Sequence, residues 1–436
     1  MKLLPRRLLQ AFVVCTGLLI GGSLMLVAAA KVESTPHGVH QRLLVPLPGS
    51  GAIALPIYSG TGDAARIPGF LDGPVVSHVP DGEWTARWFC EDRVHQMTGR
   101  GELLEVHCGG TRHAFVLTDA PASAPVGPMP AKLVVISDLE GNRRFLDAAL
   151  ARLGVADADG NWGYGDGHLV VLGDSVDRGR DVFAVLWRLY ALSQQAHAAG
   201  GAVHVVLGNH EQYVLRSNYS RAHPEHRYAM MKMGGYAEAL ASGTVIGDWL
   251  RAQPVALQLG RVVFVHGGIS PRVVDADLTI PVLNAASRDY LTAGGKNASP
   301  AALEAIFGVE GLTQYRGYLT ALPEAYPLAS REQIDAALVE FSADRIVVAH
   351  TLVDRVESRH QGRVYAVDVN SDHARPEVLL FENGEPHVID TGVPRMIADD
   401  ASPMLREVGL FNPADRAMLG DMYREMRRMA GLPHPY

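Results

Sequence analysis

Five short apolar runs in this sequence each lead into a side chain that can bind a metal ion. The runs, with the polar residues that follow them, are Leu133–Ile136 before Asp138 and Glu140, Leu169–Leu172 before Asp174, Val203–Leu207 before Asn209, Val262–Val265 before His266, and Ile346–Val348 before His350. Gly-Asp and Gly-Asn pairs are common in turns, but turns alone do not explain five such patterns in succession. Carboxylate, amide and imidazole ligands in this mixture suit two divalent ions that share one carboxylate and activate water. The sequence has no recognisable turn that presents a nucleophilic serine or cysteine, which also favours water as the nucleophile.

The elements between these runs indicate how the polar side chains come together. Amphipathic stretches at Arg144–Leu153 and Val182–Ala198 are predicted helices that alternate with the first three runs. Continuous apolar strands alternating with helices predict an α/β fold in which helices bury the strands on both faces. In open α/β folds, ligands bind beyond the carboxyl ends of the strands, which is where these polar residues lie.

Length and composition limit the classes of protein to which the chain can belong. It has 436 residues, of which 47% are hydrophobic and 20% are charged, so it can form a packed core and is not intrinsically disordered. The formal net charge is −8, and the first 30 residues hold three basic and no acidic side chains, so the rest carries −11. An acidic body of this kind predicts no nucleic-acid partner, because binding the phosphate backbone requires a basic face.

Residues 1–30 are predicted to be a targeting segment. Lys2, Arg6 and Arg7 precede an apolar stretch from Leu8 to Ala30 that ends in three alanines, as in a secretory signal peptide. The apolar stretch is about twice the length of a usual signal core, so an uncleaved membrane anchor is the alternative. Both interpretations predict an exported protein, either periplasmic or anchored in the membrane and facing the periplasm.

The rest of the chain divides by composition into four predicted segments. These are a small β-rich domain at 40–118, a linker rich in proline and alanine at 119–131, the main α/β domain at 132–395, and a helical C-terminal tail at 396–436. Cys90 and Cys108 lie in the β-rich segment, where an exported protein can keep them as a disulfide. The alternative is a pair of reduced core cysteines.

The motifs at the five strand ends resemble those of the calcineurin-like metallophosphoesterase superfamily. They are Asp138-x-Glu140, Gly173-Asp-x-x-Asp-Arg-Gly179, Gly208-Asn-His-Glu211, His266-Gly-Gly268 and His350-Thr351. The Asp-Arg-Gly and Asn-His-Glu elements resemble the phosphoprotein phosphatase branch, and Asp248–Val255 with Gln314–Gly317 is similar to bacterial Shewanella-like protein phosphatases. The resemblance covers roughly residues 132–370 and implies a sandwich of two central β-sheets flanked by helices, here preceded by the small β-rich domain.

The resemblance also implies a role for each site residue. Asp138, Glu140 and Asp174 would bind the first divalent ion, and Asp174, Asn209, His266 and His350 would bind the second. His210 would be the general acid, oriented by Asp177, while Arg178 and Arg316 would bind the phosphoryl oxygens. The implied activity is metal-dependent hydrolysis of phosphomonoesters, with a phosphorylated protein or a small phosphoester as the substrate.

Three positions depart from the family pattern. Glu140 stands where the family has histidine, and a carboxylate there favours Mn, Fe(II) or Mg, with Zn as the alternative. Ser137 and Ala349 replace glycines, a change between small residues that we expect the backbone to tolerate.

Two other functions stay open at this point. The same site would serve a phosphoesterase for nucleotides or other small molecules, whereas a degenerate site would leave a non-catalytic binding protein of the cell envelope. The segment from Arg216 to Arg251 is predicted to form a helical wall over the metals, whose shape would set the size of the substrate.

Overall fold

The computed structural model describes residues 29–34, 41–47, 51–57, 66–79, 82–121, 124–395, 404–409 and 411–430, together with Gly22 and Met25. The chain forms two compact units, one from Met1–Ile67 with Ala398–Tyr436 and the other from Pro68–Ile397. Most of the predicted targeting segment at 1–30 lies outside the described residues. Among the described residues, no helix is both long enough and apolar enough to cross a membrane.

Strands and helices are numbered here in chain order. The strands are β1 (Lys31–Ser34), β2 (Gln41–Pro46), β3 (Ala52–Ile57), β4 (Leu71–Val79), β5 (Glu83–Cys90), β6 (Arg93–Arg100), β7 (Leu103–Cys108), β8 (Thr111–Val116), β9 (Val126–Gly127), β10 (Lys132–Ile136), β11 (His168–Leu172), β12 (Ala202–Val206), β13 (Ala256–Leu259), β14 (Val262–Val265), β15 (Arg345–Val348), β16 (Glu357–Arg359), β17 (Val364–Ala366), β18 (Glu377–Glu382), β19 (Glu385–Asp390) and β20 (Met404–Glu407). The helices are α1 (Arg143–Arg152), α2 (Val182–Ala198), α3 (Asn209–Leu215), α4 (Pro224–Lys232), α5 (Tyr236–Ala239), α6 (Val245–Ala252), α7 (Pro271–Asp275), α8 (Ile280–Ala293), α9 (Pro300–Phe307), α10 (Arg331–Glu340) and α11 (Pro413–Ala430).

Two β-sheets form the centre of the larger unit. The first has the strand order β12-β11-β10-β18-β19, in which β10, β11 and β12 are parallel. The second has the order β16-β17-β15-β14-β13-β9, in which β14, β15 and β17 are parallel. All five apolar runs identified in the sequence are strands of these sheets, as their aliphatic and β-branched residues favour. The predicted α/β sandwich with two central sheets is confirmed.

One apolar core joins the facing sides of the two sheets. Its fully buried members include Leu133 and Val170 from the first sheet and Phe264 and Val347 from the second. The ring of Phe264 lies 6.1 Å from that of Phe381 on the opposite sheet. Burying a side chain of this size stabilises the fold by about 2–3 kcal/mol. This packing therefore fixes the positions from which the functional loops leave the strands.

The predicted helices at 144–153 and 182–198 are present as α1 and α2. Asn142 caps α1, since its Oδ1 accepts a hydrogen bond of 3.0 Å from the backbone N–H of Phe145. α2 is buried along most of its length, and its Phe183 and Leu186 are fully buried. In the predicted helical wall between Arg216 and Arg251, the structure has α4, α5 and most of α6.

The strands β4 to β8 belong to the larger unit rather than to a separate domain at 40–118. Cys90 at the end of β5 and Cys108 at the end of β7 form the predicted disulfide. Aromatic contacts attach these strands to α2: the indole N–H of Trp187 donates to the Pro74 carbonyl at 2.9 Å, and its ring lies 5.1 Å from Phe115. Because large buried side chains connect the strands to the helix, this region is not an independent β-rich domain.

The predicted linker and tail also contain strands that local sequence did not indicate. β9 lies within the linker at 119–131 and extends the second sheet by pairing with β13. In the smaller unit, β20 pairs with β1 in the antiparallel sheet β20-β1-β2-β3, and α11 follows β20. The core of the smaller unit includes Val32, Leu43, Val408 and Met422. The tail at 396–436 is therefore not helical throughout, since pairing with a distant strand determines its first element.

Candidate metal centre

Several site residues adopt a backbone conformation that side chains other than glycine rarely adopt. Asp138, Glu140, Asp174 and His350 have φ values of 49°, 47°, 52° and 63°. Each such residue costs of order 1 kcal/mol or more, and the cost persists only where surrounding structure holds the backbone in place. The Asp138 N–H donates to the Gly173 carbonyl at 3.0 Å, and the Glu140 N–H donates to the Asp174 carbonyl at 2.8 Å. The loops after β10 and β11 are thus held against each other.

Two glycines in the motifs are required by close approach of the chain to site side chains. Gly173 has a φ of +83°, and a Cβ there would lie 2.3 Å from Nδ1 of His266. A Cβ on Gly208 would lie 2.2 Å from Oδ1 of Asp174. Larger residues at either position would displace a predicted ligand. By contrast, Ser137 is accommodated, because its hydroxyl donates to the Val367 carbonyl at 3.2 Å.

The imidazole side of the site is a compact cluster of buried donors. Asp174, His266 and His350 each offer a ligand atom, and these atoms lie within 4.8 Å of one another. Asp174 Oδ2 is 3.0 Å from His266 Nε2, which is 3.2 Å from Asn209 Oδ1. His266 Nδ1 donates to the Leu172 carbonyl at 2.8 Å, which directs Nε2 toward the cluster. The structure thus brings together the four residues predicted to bind the second ion.

Opposite charges compensate one another within this cluster. Burial alone would raise the pKa of Asp174, but His266 and His210 outweigh it, so the pKa of Asp174 is lowered and the group is ionised. Burial alone would lower the pKa of His266, but the nearby Asp174 outweighs burial and raises this pKa to about 10. The pKa of His350 is lowered to about 2 by burial and by the nearby His266 and Arg316. A carboxylate with two imidazoles is a donor set that suits a divalent transition metal.

The carboxylate side of the site is compensated only in part, although Arg178 and Arg395 lie near it. Burial, followed by the nearby Asp368, raises the pKa of Asp138 well above its usual value. Burial also raises the pKa of Glu140, to about 7, although Arg178 opposes this. Among the described residues, the buried Asp138 Oδ2 has no hydrogen-bond partner. A bound cation would satisfy this oxygen and favour the ionised carboxylates, so these residues fit a divalent metal.

The predicted acid pair is in hydrogen-bonding contact. His210 Nδ1 lies 3.0 Å from Asp177 Oδ2, and His210 Nε2 lies 3.7 Å from Asp174 Oδ2. Burial lowers the pKa of His210, but Asp174 and Asp177 raise it more, and the pKa is raised overall. Both side chains are buried, so the ring is fixed in one orientation.

The two predicted phosphate-binding arginines contact the site from different sides. Arg178 Nε is 3.0 Å from Glu140 Oε1, and 54% of the Arg178 side chain is exposed. The Arg316 guanidinium donates to the His350 carbonyl and lies 3.4 Å from His350 Nδ1. The structure thus places both cations beside predicted metal ligands, and their role in binding phosphate stays a prediction.

Sequence reasoning missed several residues that support the carboxylate side. Asp368 follows β17, so the rule that polar residues follow buried strands would have found it. Asn370 donates to Glu140 Oε2, and the buried Arg395 donates to the carbonyls of Ser137 and Asp138 at 2.9–3.0 Å. Neither residue lies in a recognisable motif.

Glu211 is a second kind of supporting residue. Its fully buried carboxylate accepts hydrogen bonds from the backbone N–H groups of Gly208, Asp174 and Ser175, at 2.7, 3.0 and 2.7 Å. It thereby joins the loop after β11 to the start of α3. In the sequence, Glu211 is recognisable only as the last residue of the Gly208-Asn-His-Glu211 motif.

Comparisons with known proteins agree with this arrangement. Residues 131–354 match the model of the family described as calcineurin-like phosphoesterase. The crystal structure of a cold-active protein-tyrosine phosphatase from a psychrophilic Shewanella species is 31% identical with a TM-score of 0.66, over 73% of this chain and 99% of that one.

Two curated proteins are also similar to this chain. Shewanella-like protein phosphatase 2 of Arabidopsis thaliana is 35% identical over 82 residues, which are 19% of this chain and 21% of that protein. The symmetrical bis(5'-nucleosyl)-tetraphosphatase of Neisseria meningitidis is 27% identical, over 46% of this chain and 67% of that protein.

Proposed function

We propose that this chain, which belongs to the calcineurin-like phosphoesterase family and is a hydrolase of phosphoric esters, cleaves phosphomonoesters with two divalent metal ions. The observation that carries this proposal is the position of Asp174. Its Oδ2 lies 3.0 Å from His266 Nε2, and its carboxylate is near enough to Asp138 and Glu140 to raise the pKa of both. Asp174 therefore adjoins both the imidazole and the carboxylate ligands, as a bridging carboxylate must.

Asp138, Glu140 and Asp174 would hold the first ion, and Asp174, Asn209, His266 and His350 would hold the second. When bound, two such ions lower the pKa of a water molecule for in-line attack and stabilise the charge on the phosphoryl oxygens. The carboxylate side favours Mn, Mg or Fe(II), because its ligands are oxygens.

We assign to His210 the protonation of the leaving oxygen. Its Nδ1–H donates to Asp177, which fixes the ring so that Nε2 points toward the Asp174 side of the site. The raised pKa of His210 helps the ring to carry a proton near neutral pH. Arg178 and Arg316 supply positive charge for the phosphoryl oxygens.

We propose a phosphorylated protein as the substrate. The similarity to the Shewanella phosphatase covers 99% of that chain, which supports this choice. The similarity to a nucleoside tetraphosphatase supports the second candidate, a small phosphoester. The test is a screen of phosphopeptides, nucleotides and sugar phosphates with the metal-reconstituted protein. We expect kcat/KM to be highest for a phosphopeptide, and a nucleotide as the best substrate would favour the second candidate.

We propose further that the protein is exported, with its N-terminal segment cleaved as a signal peptide or retained as an anchor. The basic and apolar pattern of residues 1–30 supports export, and so does the disulfide, because disulfides persist in oxidising compartments. Cell fractionation with N-terminal sequencing of the purified protein tests this. A cytosolic protein whose Cys90 and Cys108 are both alkylated without reduction would contradict it.

A further inference from the structure

Arg221 is a cation at the rim of the metal centre. It lies between α3 and α4, and its guanidinium carbon is 4.4 Å from the ring centroid of Tyr213. The ring of Tyr213 is in turn 5.4 Å from that of His210. The guanidinium therefore lies no more than about 10 Å from the His210 ring, the sum of these two distances.

Tyr213 and Arg221 are both anchored to site residues. The Tyr213 hydroxyl is 3.2 Å from Asn209 Nδ2 and 3.2 Å from Gln314 Nε2. The carbonyl of Arg221 accepts from the N–H of Arg178 at 2.9 Å. Stacking on a ring that is itself held by hydrogen bonds fixes the position of the guanidinium without neutralising its charge.

Arg221 differs from Arg178 and Arg180 in having no acidic partner among the described residues. Arg178 pairs with Glu140, and Arg180 pairs with Asp181 and Glu225. In the described part of the chain, no carboxylate lies within 4.0 Å of the side-chain nitrogens of Arg221, which is exposed. Its charge is therefore available to a ligand.

We propose that Arg221, stacked on Tyr213, binds an acidic side chain of a phosphopeptide a few residues from the phosphorylated residue. An extended peptide advances by about 3.3–3.6 Å per residue, so a separation of up to about 10 Å corresponds to three residues or fewer. An acidic side chain at that spacing reaches the guanidinium while the phosphoryl group lies beside His210. This inference rests on the proposed activity and specifies its substrate.

The test compares two phosphopeptides that differ only in glutamate or alanine three residues from the phosphorylated residue. For the metal-reconstituted wild-type protein we expect kcat/KM to be about two- to fivefold higher for the glutamate peptide, the size typical of an exposed ion pair. In Arg221→Gln, kcat/KM becomes equal for the glutamate and alanine peptides. Arg221→Glu reverses the preference, so that a peptide with lysine at the same position is hydrolysed faster than the glutamate peptide. Arg216→Gln is the matched control, because Arg216 is also exposed and stacks on a tyrosine, Tyr290, at 5.9 Å. It keeps the wild-type ratio.

Binding of the same peptides with a non-hydrolysable phosphonate, measured by calorimetry, tests the inference independently of turnover. Equal affinity of the wild-type protein for the glutamate and alanine peptides would overturn it, and so would an unchanged preference in Arg221→Gln. Hydrolysis of aryl phosphates would continue in that case, and the proposed activity would stand. Failure of the wild-type protein to hydrolyse any phosphoester would overturn the proposed activity instead, while the binding experiment would still decide the role of Arg221.

Discussion

The two halves of the metal centre differ in how buried charge is balanced. The imidazole half, His266 and His350 with Asn209, surrounds an ionised Asp174 and contributes its own positive charge through His266. The carboxylate half, Asp138 and Glu140, has raised pKa values because burial and neighbouring acids outweigh the nearby cations. The fold can thus hold the imidazole half together by itself. The carboxylate half requires a cation from outside the chain to become fully ionised.

The supporting residues follow the same division. The imidazole half is held by the bond from His266, which follows β14, to the carbonyl of Leu172 at the end of β11 in the opposite sheet. The carboxylate half is supported from distant parts of the chain by Asn370 and Arg395. The two halves are therefore supported by different residues, so substitutions should separate them.

The largest effect is expected at Asp174, the residue that both halves share. Asp174→Asn should lower turnover of an aryl phosphate at least about a thousandfold, because a neutral amide cannot balance two dications. Metal content should fall in parallel. The control is Asp159→Asn, an exposed aspartate in the loop before β11, which should behave as wild type. Near wild-type turnover and an unchanged metal count in Asp174→Asn would rule out a shared ligand.

Arg395 should have the next largest effect, on folding. Its guanidinium is buried and satisfies the carbonyls of Ser137 and Asp138. Arg395→Met should destabilise the protein by about 3 kcal/mol, because it leaves two buried carbonyls without a donor and removes a buried positive charge near Asp368 and Asp138. Thermal unfolding measures this, with Arg100→Met as the control. Arg100 is 70% exposed and pairs with Glu83, so its loss should cost less than about 1 kcal/mol. Equal effects of the two variants would contradict the importance of Arg395.

The pH dependence of the metal-free protein should reveal the carboxylate half separately. Burial raises the pKa of Glu140 from 4.5 to about 7. The contribution that protonated Glu140 makes to stability is therefore complete below pH 4.5 and is lost as the pH rises through 7. Between pH 5 and 8, wild type should lose up to about 3 kcal/mol relative to Glu140→Gln. The control variant is Glu102→Gln, which alters an exposed glutamate outside the site. A stability difference between wild type and Glu140→Gln that does not change with pH would mean that Glu140 is not held in a desolvated position.

These contrasts also show what could be predicted from the sequence. The strand ends at Asp138, Asp174 and His266 were predictable, because each apolar run is a local signal and parallel strands end at one edge of a sheet. Asp368 obeys the same rule, but β17 has only three residues and gives a weak pattern. Arg395 reaches the site through tertiary contacts alone.

The predicted domain boundaries differ from the two observed units for the same reason that Arg395 was not predicted. β20 pairs with β1, although hundreds of residues separate them in the chain, and β4 is attached by the contact between Trp187 and Pro74. Neither contact leaves a local pattern of composition or periodicity. Long-range pairing and aromatic packing therefore set the limits of the two units.

The most direct test that the two halves of the metal centre differ is a comparison of the metal preference of wild type with that of Glu140→His. Turnover of an aryl phosphate and bound metal per chain would be measured for both proteins with Mn, Mg, Fe(II), Co and Zn. We predict two ions per chain, with wild type favouring Mn, Mg or Fe(II) and Glu140→His shifted toward Co and Zn while its thermal stability changes little. An identical metal profile in the two proteins would show that Glu140 does not contact the ion, and a single ion per chain would contradict the two-metal centre itself.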